Sequence, residues 1–479
     1  MGHLRDALSQ PSGVPQITYM RSVPNRGMIR YRGLFNQEYI QLTSPEILKE
    51  LMHTQPYTFN KPGTLRLGTG KGSSRLRALP FEEGEEHKRQ RKLLTPAFSY
   101  RQIKAQVPTI WAGSVHLRDK IEQVVEVTGK VGCEEAVVDI EEWLMLATLD
   151  ILFAAGFGYE CNALASAPIT GGKAGGGPEL SEAYNILFNQ GGSTARVLLL
   201  LKTIFPLIAH LPLHRNRQVK KAVAIISRVA EKIAVEKQAE VSKTSDSGDG
   251  ADILTTMLRS GHYSIEKDYS IGDQVLTFLS AGNETTATAL TWAIYLLSLP
   301  KYKHIQERLR AEIHSHFPGG LPEAITYEAI ESLKYLRNVM MEVLRLRSPL
   351  PVSFRKAAQN TTLGGEFVPK GTRIVLALQA INRSLELWGE DADEFNPDRW
   401  EKQEANSTFS TFMSGPRGCI GTLFAKIQFK CLLMAMVGSF EFEEAEELRG
   451  REPAIAGGII QKPADGMPVC VRKVRWGGE

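Results

Sequence analysis

A long apolar segment at residues 270–299 limits the fold of this chain more than any other feature. Drawn as a helix, the segment carries apolar side chains nearly all round, and Pro300 marks its end. Such a helix has no face to present to water, so other elements have to surround it. With 479 residues, 43% of them hydrophobic, the chain is long enough to do so. The segment therefore predicts one long central helix inside a large core.

The remaining pattern is mostly helical, with short strands near both ends of the chain. Strands are predicted at Met28–Arg32, Thr361–Leu363 and Glu366–Val368, and also at residues 38–43, 372–376 and 467–472. Further helices are predicted at residues 301–316, 327–347 and 421–440. The Gly-rich stretch at residues 166–178 is a loop within this pattern, because helical periodicity resumes after it. The fold class is therefore mainly α with a small β portion, in one domain over residues 28–479.

Charge and cysteine content argue against two classes of protein. The net charge of +4 is too small to favour nucleic-acid binding, and the basic run at residues 87–92 has no interleaved aromatic side chains. Five cysteines in a chain of this size do not form a disulfide scaffold. Cys133, Cys161 and Cys470 show no metal-ligand spacing, and Cys431 lies in an apolar helix where a core position is expected.

No segment has the pattern of a membrane-spanning helix. The first residues lack an apolar core, so residues 1–27 are interpreted as a hinge-like segment without a membrane anchor. The stretch at residues 197–213 is interrupted by charged residues and prolines, whereas a span needs about 20 mostly apolar residues. For that stretch, contact with a membrane surface and burial as a helix and loop both stay open.

The strongest chemical signal is Phe-Met-Ser-Gly-Pro-Arg-Gly-Cys-Ile-Gly at residues 412–421. Cys419 follows a glycine-containing turn and precedes a helix, where free N–H groups and the positive helix end are expected to lower its pKa. Arg417 supplies a cation that could pair with an acidic group of the same ligand. A cysteine in a turn is more often a plain core residue, so the interpretation depends on what accompanies it.

Three further motifs occur in the chain. Glu342-Val-Leu-Arg345 places opposite charges three residues apart on one helix face. Phe-Asn-Pro-Asp-Arg399-Trp follows it at residues 395–400. Ala-Gly-Asn-Glu284-Thr285-Thr lies within the central helix at residues 281–286, where small side chains stand next to an acid and a hydroxyl. Each motif is weak alone, whereas their order along the chain is specific.

Together these motifs resemble those of the cytochrome P-450 superfamily, whose haem-binding signature is F-x-x-G-x-R-x-C-x-G. The resemblance covers roughly residues 30–471, looks like the eukaryotic microsomal type and, at residues 85–91, like filamentous-fungal members. It implies the single-domain cytochrome P-450 fold, with haem b between the central helix and the helix after the Cys419 turn. It also implies that Cys419 is the axial ligand of the haem iron.

The resemblance assigns further roles residue by residue. The haem would be held by His87, Arg91, Arg355, Arg417 and Phe412, with His87 standing where the family most often has Trp. Lys88, Arg89 and Lys92 would form either a solvated basic face or a contact for an acidic redox partner. The catalytic pair that manages protons would be Thr285 and Glu284. A structural triad would be formed by Glu342, Arg345 and Arg399. Substrate would contact Phe278, Ala281, Gly282, Thr286 and Val352, beneath a lid at residues 65–79.

The implied function is monooxygenation: one atom of O2 enters an apolar small organic substrate, in secondary metabolism, and the other leaves as water. No flavin domain follows the haem domain and no G-x-G-x-x-G follows a strand, so electrons are expected from an NADPH-cytochrome reductase, a flavoprotein. The implied location is the cytosolic face of the endoplasmic reticulum membrane. Two alternatives are a haem-thiolate isomerase or dehydratase that needs no O2, and a non-catalytic haem-binding protein. The intact Glu284–Thr285 pair argues against both.

Overall fold

The computed structural model describes residues 11, 13–33, 36–62, 78–129, 135–169, 183, 186, 214–243, 252–261, 271–401, 408–456 and 459–476. Cys133 and residues 197–213 lie outside these ranges, as does the predicted lid except for Ala78 and Leu79.

Sixteen α-helices occur in the described residues. They are α1 Val14–Ser22, α2 Pro45–Lys49, α3 Gly84–Leu94, α4 Tyr100–Ala105, α5 Val107–Thr128, α6 Ile140–Ile151, α7 His214–Lys243, α8 Ile253–Arg259, α9 Ile271–Gly282, α10 Glu284–Ser298, α11 Lys303–His316, α12 Tyr327–Ser332, α13 Lys334–Leu346, α14 Leu378–Asn382, α15 Leu385–Trp388 and α16 Thr422–Ser439. Ten strands accompany them: β1 Met28–Arg32, β2 Glu38–Leu42, β3 Phe59–Asn60, β4 Glu135–Asp139, β5 Ser353–Ala357, β6 Thr361–Leu363, β7 Glu366–Val368, β8 Arg373–Leu376, β9 Phe440–Glu444 and β10 Pro468–Lys473. The mainly α fold class is confirmed.

The strands form two sheets and a hairpin. The larger sheet has the order β1-β2-β8-β5-β3, and its β2–β8 pair is parallel, with Tyr39 opposite Arg373. The smaller sheet has the order β4-β10-β9, and β6 pairs with β7. Both sheets join strands that are hundreds of residues apart in sequence. The strands at residues 28–42 therefore fold together with the late strands rather than as a separate unit.

The central helix is interrupted, so the prediction of one unbroken helix over residues 270–299 was wrong. Helix α9 ends at Gly282 and α10 begins at Glu284, with Asn283 between them. The Asn283 side chain accepts a 2.5 Å hydrogen bond from the hydroxyl of Thr148 on α6. Two residues after Asn283, the Thr285 hydroxyl donates a 2.7 Å hydrogen bond to the Ala281 carbonyl. The interruption thus lies where Thr148 bonds to the Asn283 side chain and where the Thr285 hydroxyl bonds to a carbonyl four residues earlier, a bond that often bends helices.

Helix α13 is likewise separated from α12 at Leu333, where a single helix was predicted. The Glu312 carboxylate on α11 accepts hydrogen bonds from the amides of Tyr335 and Leu336, at 2.8 and 2.9 Å. These amides belong to the first turn of α13, which has no helical partners for them. A side chain from a neighbouring helix therefore provides the cap that begins α13.

Helix α16 follows the Cys419 turn into the core. Cys431 on this helix is fully buried, as its apolar surroundings predicted. Among the described helices, α16 is the one whose length and composition would suit a membrane span, yet 72% of it is buried inside the protein. Core helices meet the same criterion, so α16 is weak evidence for membrane insertion.

Candidate active site

The turn before α16 is shaped by close backbone approaches. Gly415 has φ +69°, and a Cβ there would lie 2.3 Å from the carbonyl oxygen of Met52. Only glycine tolerates both conditions. The Gly418 amide donates to the Gly415 carbonyl over 3.0 Å, and the Cys419 amide donates to the Phe412 carbonyl over 2.9 Å. These bonds close the turn and leave the Cys419 side chain exposed rather than packed in the core.

Although the Cys419 side chain is accessible, protein atoms surround the thiol closely, and the resulting loss of hydration raises its pKa above the ordinary value. The Gly421 amide, the Thr422 hydroxyl and the charge of Arg91 act in the opposite direction. The donors at the helix end therefore act in the expected direction, and the loss of hydration opposes them. Metal coordination deprotonates a thiol outright, so a bound cation at Cys419 would stabilise the thiolate.

Four cationic or basic side chains lie beside this turn. Arg91 on α3 donates to the Gly418 carbonyl over 2.6 Å. Arg417 donates to the carbonyls of Pro56 and Phe59, both at 3.2 Å, and forms a 2.6 Å ion pair with Glu83. The other two members are His87 and Arg355, which are both buried and lie close enough to Arg417 for its charge to lower their pKa values. We call His87, Arg91, Arg355 and Arg417 the cation cluster.

The arginines of the cation cluster disfavour a positive charge on His87. Burial, followed by the charges of Arg417, Lys61, Arg91 and Arg355, lowers the pKa of His87 to about 3. The His87 ring is therefore neutral at pH 7, and its Nδ1 lies 3.1 Å from the Tyr57 hydroxyl. Burial and the charge of Arg417 also lower the pKa of Arg355 to about 10. Like charges gathered in a buried place favour an anion between them.

The central helix presents its open positions at the interruption. At the end of α9, Ala281 is exposed and Gly282 is half-buried. Thr285 is half-buried as well, whereas the other residues of α10 are buried. The Gly282 Cα approaches Leu152 so closely that an added Cβ would lie 3.1 Å from its side chain. We call Ala281, Gly282 and Thr285 the open wall. Small side chains on a core helix that remain accessible indicate a cavity beside them.

The predicted structural triad is brought together in the core. The Arg345 guanidinium donates to both oxygens of Glu342 over 2.8 and 2.7 Å, and Arg399 donates to the same carboxylate over 2.9 Å. Trp400 Nε1 and the Asn396 amide add bonds of 2.9 and 3.0 Å. Glu342 and Arg345 are both fully buried. A carboxylate with five donors is a fully satisfied buried charge.

A sequence model described as Cytochrome P450 matches residues 27–467 of the chain. The chain belongs to the cytochrome P450 family. It is similar to the cytochrome P450 monooxygenase FUM15 of Gibberella moniliformis, with 35% identity across 98% of this chain and 85% of that protein. It is also similar to the cytochrome P450 monooxygenase sphH of Aspergillus fumigatus, with 34% identity across 89% of this chain and 77% of that protein. A third relative is the cytochrome P450 monooxygenase ALT8 of Alternaria alternata, with 33% identity across 97% of this chain and 86% of that protein.

These similarities confirm the predicted resemblance to fungal members of the cytochrome P450 family. As a cytochrome P450, the protein uses haem b and is a haem-thiolate monooxygenase, an oxidoreductase. Members of the family need a redox partner, an organic substrate and O2, and so does this protein.

The residues of this cytochrome P450 fit the group that the family implies. Within the described ranges, the Nε atoms of Arg355 and Arg417 are buried without a hydrogen-bond partner. Buried guanidinium donors normally have partners, and an unmade bond there is costly. Haem b carries two propionates, which are anions with the acceptor oxygens that these donors lack. The cation cluster beside Cys419 is therefore suited to a ligand with one metal and two carboxylates.

The structure separates the predicted substrate residues into two groups. Ala281 and Gly282 are accessible at the open wall, whereas Phe278, Thr286 and Val352 are buried. Phe278 packs edge-on against Phe98, with ring centroids 5.4 Å apart. Phe412 carries Lys426 over its ring at 5.6 Å. The three buried side chains would support the cavity wall more than they would touch its contents.

Several partners of the site could not be read from motifs. Tyr57 contacts His87, and Glu83 pairs with Arg417. Lys462 forms an ion pair with Glu284, with Nζ 3.2 Å from Oε1. Burial raises the pKa of Glu284, and the charge of Lys462 opposes that shift. No sequence signal identified Lys462, because it lies in an irregular segment far from the motif that contains Glu284.

Proposed function

We propose that this cytochrome P450 inserts one oxygen atom of O2 into an apolar small organic substrate in fungal secondary metabolism. One observation carries the proposal: unpaired buried donors of the cation cluster lie beside an accessible cysteine. Haem, when bound there, supplies O2 activation and accepts electrons one at a time. The protein contributes binding, orientation and protons.

Each member of the haem-binding set has its own task. Cys419 would provide the thiolate ligand. Arg355 and Arg417 would direct their free Nε donors at the propionates, while Arg91 keeps the turn in place through the Gly418 carbonyl. His87, neutral at pH 7, would donate a hydrogen bond without adding charge. Phe412 would contribute an apolar face next to the turn.

Proton delivery would fall to the pair at the interruption of the central helix. Glu284 is buried and forms an ion pair with Lys462, so its carboxyl group is placed to accept and release protons in a site with little water. The Thr285 hydroxyl is half-buried at the open wall and bonds to the Ala281 carbonyl. Rotation of that hydroxyl away from the carbonyl would place a donor in the cavity. The proton would then pass from the carboxyl group towards the reacting oxygen.

The cavity wall favours apolar substrates. Ala281 and Gly282 offer no charge or hydrogen-bonding side chain, and the supporting residues Phe278 and Val352 are apolar. A substrate would therefore be held by shape and apolar contact.

Electrons would come from an NADPH-cytochrome reductase, and the protein would work at the cytosolic face of the endoplasmic reticulum membrane with peripheral membrane contact. Membership of the family supports the need for an external reductase. The exposed side chains of Lys88, Arg89 and Lys92 on α3 give an accessible basic face to an acidic partner. The haem domain would span residues 28–479, and residues 1–27 would form a hinge-like segment before it.

Counting product, hydrogen peroxide and NADPH together tests this function. Thr285→Ala should still bind substrate and consume O2 and NADPH, while product per NADPH falls and peroxide rises. Thr291→Ala is the matched control, because Thr291 lies on the same helix and makes the same bond to a carbonyl four residues earlier, at 2.9 Å, but is fully buried. An isomerase or a haem carrier would show no NADPH consumption linked to product. An unchanged product ratio in Thr285→Ala would remove Thr285 from proton delivery.

A further inference from the structure

The Lys462–Glu284 ion pair is almost completely buried. The side chain of Lys462 is 8% exposed and that of Glu284 is 4% exposed. Taking two charges out of water is costly, and apolar residues of similar volume would often serve stability at least as well. A buried ion pair next to the open wall is therefore weak evidence for stability and calls for a functional explanation.

The segment around Lys462 holds the ammonium in a fixed place. The Gln461 carbonyl accepts a 2.8 Å hydrogen bond from Trp292 Nε1, and the Gln461 amide donates to the Pro349 carbonyl over 3.0 Å. The Lys462 carbonyl accepts from the Ala456 amide over 2.8 Å. Trp292 lies on α10, as Glu284 does, two helical turns further on. The segment thus contacts α10 at two points, which positions Lys462 before any proton moves.

A second carboxyl group, that of Glu141, also interacts with the Lys462 ammonium. Glu141, in the first turn of α6, has its pKa raised to about 7 by burial. The charge of Lys462 lowers that pKa, whereas those of Asp139, Glu284 and Glu142 raise it. Helix α6 packs directly against α10. Lys462 is therefore a cation that acts on both Glu284 and Glu141, and its removal would leave the charges of these two carboxyl groups to repel each other.

We propose that Lys462 is a positioning residue for proton delivery: its ammonium keeps the Glu284 carboxylate ionised and oriented beside the open wall. The role of the carboxylate in proton delivery rests on the function proposed above. The electrostatic effect of Lys462 on Glu284 does not depend on which reaction the protein performs. The two statements therefore have separate tests.

Infrared difference spectroscopy of the haem-loaded protein tests the electrostatic effect directly. The carbonyl band of protonated Glu284 is identified as the band that disappears in Glu284→Gln, and its pH midpoint is then measured. Lys462→Met should shift this midpoint upwards by about one pH unit or more, because a nearby cation typically lowers a carboxyl pKa by about 1–3 units. An unchanged midpoint would overturn the proposal.

Two variants guard against a merely structural effect. Lys462→Arg retains the charge and should keep the midpoint within a few tenths of a unit of the parent. Lys237→Met removes another buried ammonium, whose ion pair with Asp252 has 11% and 10% exposed side chains and a 2.9 Å separation. It should leave the Glu284 midpoint unchanged. A shift of equal size in Lys237→Met would assign the effect to general destabilisation and overturn the proposal.

The product-to-NADPH ratio provides the second readout. In Lys462→Met, the pH at which this ratio is half-maximal should move in the same direction as the infrared midpoint, with no further change in the Glu284→Gln background. If Lys462→Met shifts this pH as much in the Glu284→Gln background as in the parent, Lys462 acts through another group and the proposal fails. If the infrared midpoint shifts but the parent forms no oxygenated product, the proposed function fails and the electrostatic assignment stands. If Lys462→Met does not accumulate, Lys462→Gln supplies the same measurement.

Discussion

The Glu342 network and the cation cluster are both buried and highly charged, but only one of them is complete. Around Glu342, two guanidinium groups, an indole N–H and a backbone amide all donate to one carboxylate. Around Arg355 and Arg417, cations adjoin cations, and two buried Nε donors have no hydrogen-bond partner in the described structure. The first arrangement balances its charge internally, because Arg399 also forms a 2.9 Å ion pair with Asp391. The second has an excess of positive charge and unused donors.

This difference separates structural charges from binding charges without reference to any motif. A satisfied network contributes to the folded state by itself, so its loss should appear as lost stability. An unsatisfied like-charge cluster opposes folding until an anion arrives, so its loss should appear as lost binding. The predictions below test this separation.

The largest effect is expected from Glu342→Ala or Arg345→Ala. Either change strands the remaining buried charge, at a cost of about 3–5 kcal/mol in the free energy of unfolding. Soluble holoprotein should be scarce, and urea unfolding of the haem-free protein should show the loss. Lys301→Ala, which removes a surface ion pair with Glu394, is the control and should leave the free energy of unfolding nearly unchanged. Normal stability with slower turnover would place these residues in catalysis instead.

Arg355→Leu should give the opposite pattern. The haem-free protein should keep its free energy of unfolding within about 1 kcal/mol, because an apolar side chain replaces a buried cation whose Nε has no hydrogen-bond partner. Haem affinity should fall about 10-fold to 100-fold, which corresponds to the loss of a charged hydrogen bond of about 1.5–3 kcal/mol. Haem transfer to an acceptor protein measures the affinity. Unchanged haem affinity together with lost stability would make Arg355 a structural residue.

His87 should give the smallest effect, seen as a dependence of stability on pH. Its pKa of about 3 in the folded protein lies below its ordinary value of 6.5, so the folded state binds the proton less readily than the unfolded state. The stability that depends on neutral His87 is fully present above pH 6.5 and is lost progressively as the pH falls towards 3.

Urea unfolding of haem-free parent and His87→Gln protein at pH 7 and pH 5 measures this difference. The variant should lose less stability on acidification than the parent. Bound propionates would offset the neighbouring cations, so the haem-loaded parent should also be less sensitive. Equal losses in parent and variant would show that the cation cluster does not act on His87.

Motifs predicted those parts of the fold and the site that depend on local spacing. Glu342 and Arg345 lie one helical turn apart, and their pairing follows from that spacing alone. Likewise, His87 and Arg91 lie four residues apart on the inner face of α3, while Lys88, Arg89 and Lys92 are exposed. The interval of four residues places His87 and Arg91 on one face of the helix and so distinguishes them from the three exposed side chains.

Features that depend on distant residues were not predictable in this way. The interruption at Asn283 depends on Thr148, which is 135 residues earlier in the chain. The environment of Glu284 depends on Lys462, and the cap of α13 depends on Glu312. The direction of the Cys419 pKa shift also depends on the surrounding protein, whereas a motif shows only the local donors. Each of these features depends on contacts between residues distant in sequence, and local helix propensity does not predict such contacts.

The central claim is that Cys419 supplies the thiolate to a haem held by the cation cluster. The absorption spectrum of the ferrous protein with carbon monoxide tests it most directly. Cys419→Ser should not give the red-shifted Soret band of thiolate-ligated haem, whereas Cys470→Ser, a change on β10, should keep it. Because both variants retain the cation cluster, loss of the band in Cys419→Ser alone would identify the ligand. A red-shifted band that persists in Cys419→Ser would contradict the claim.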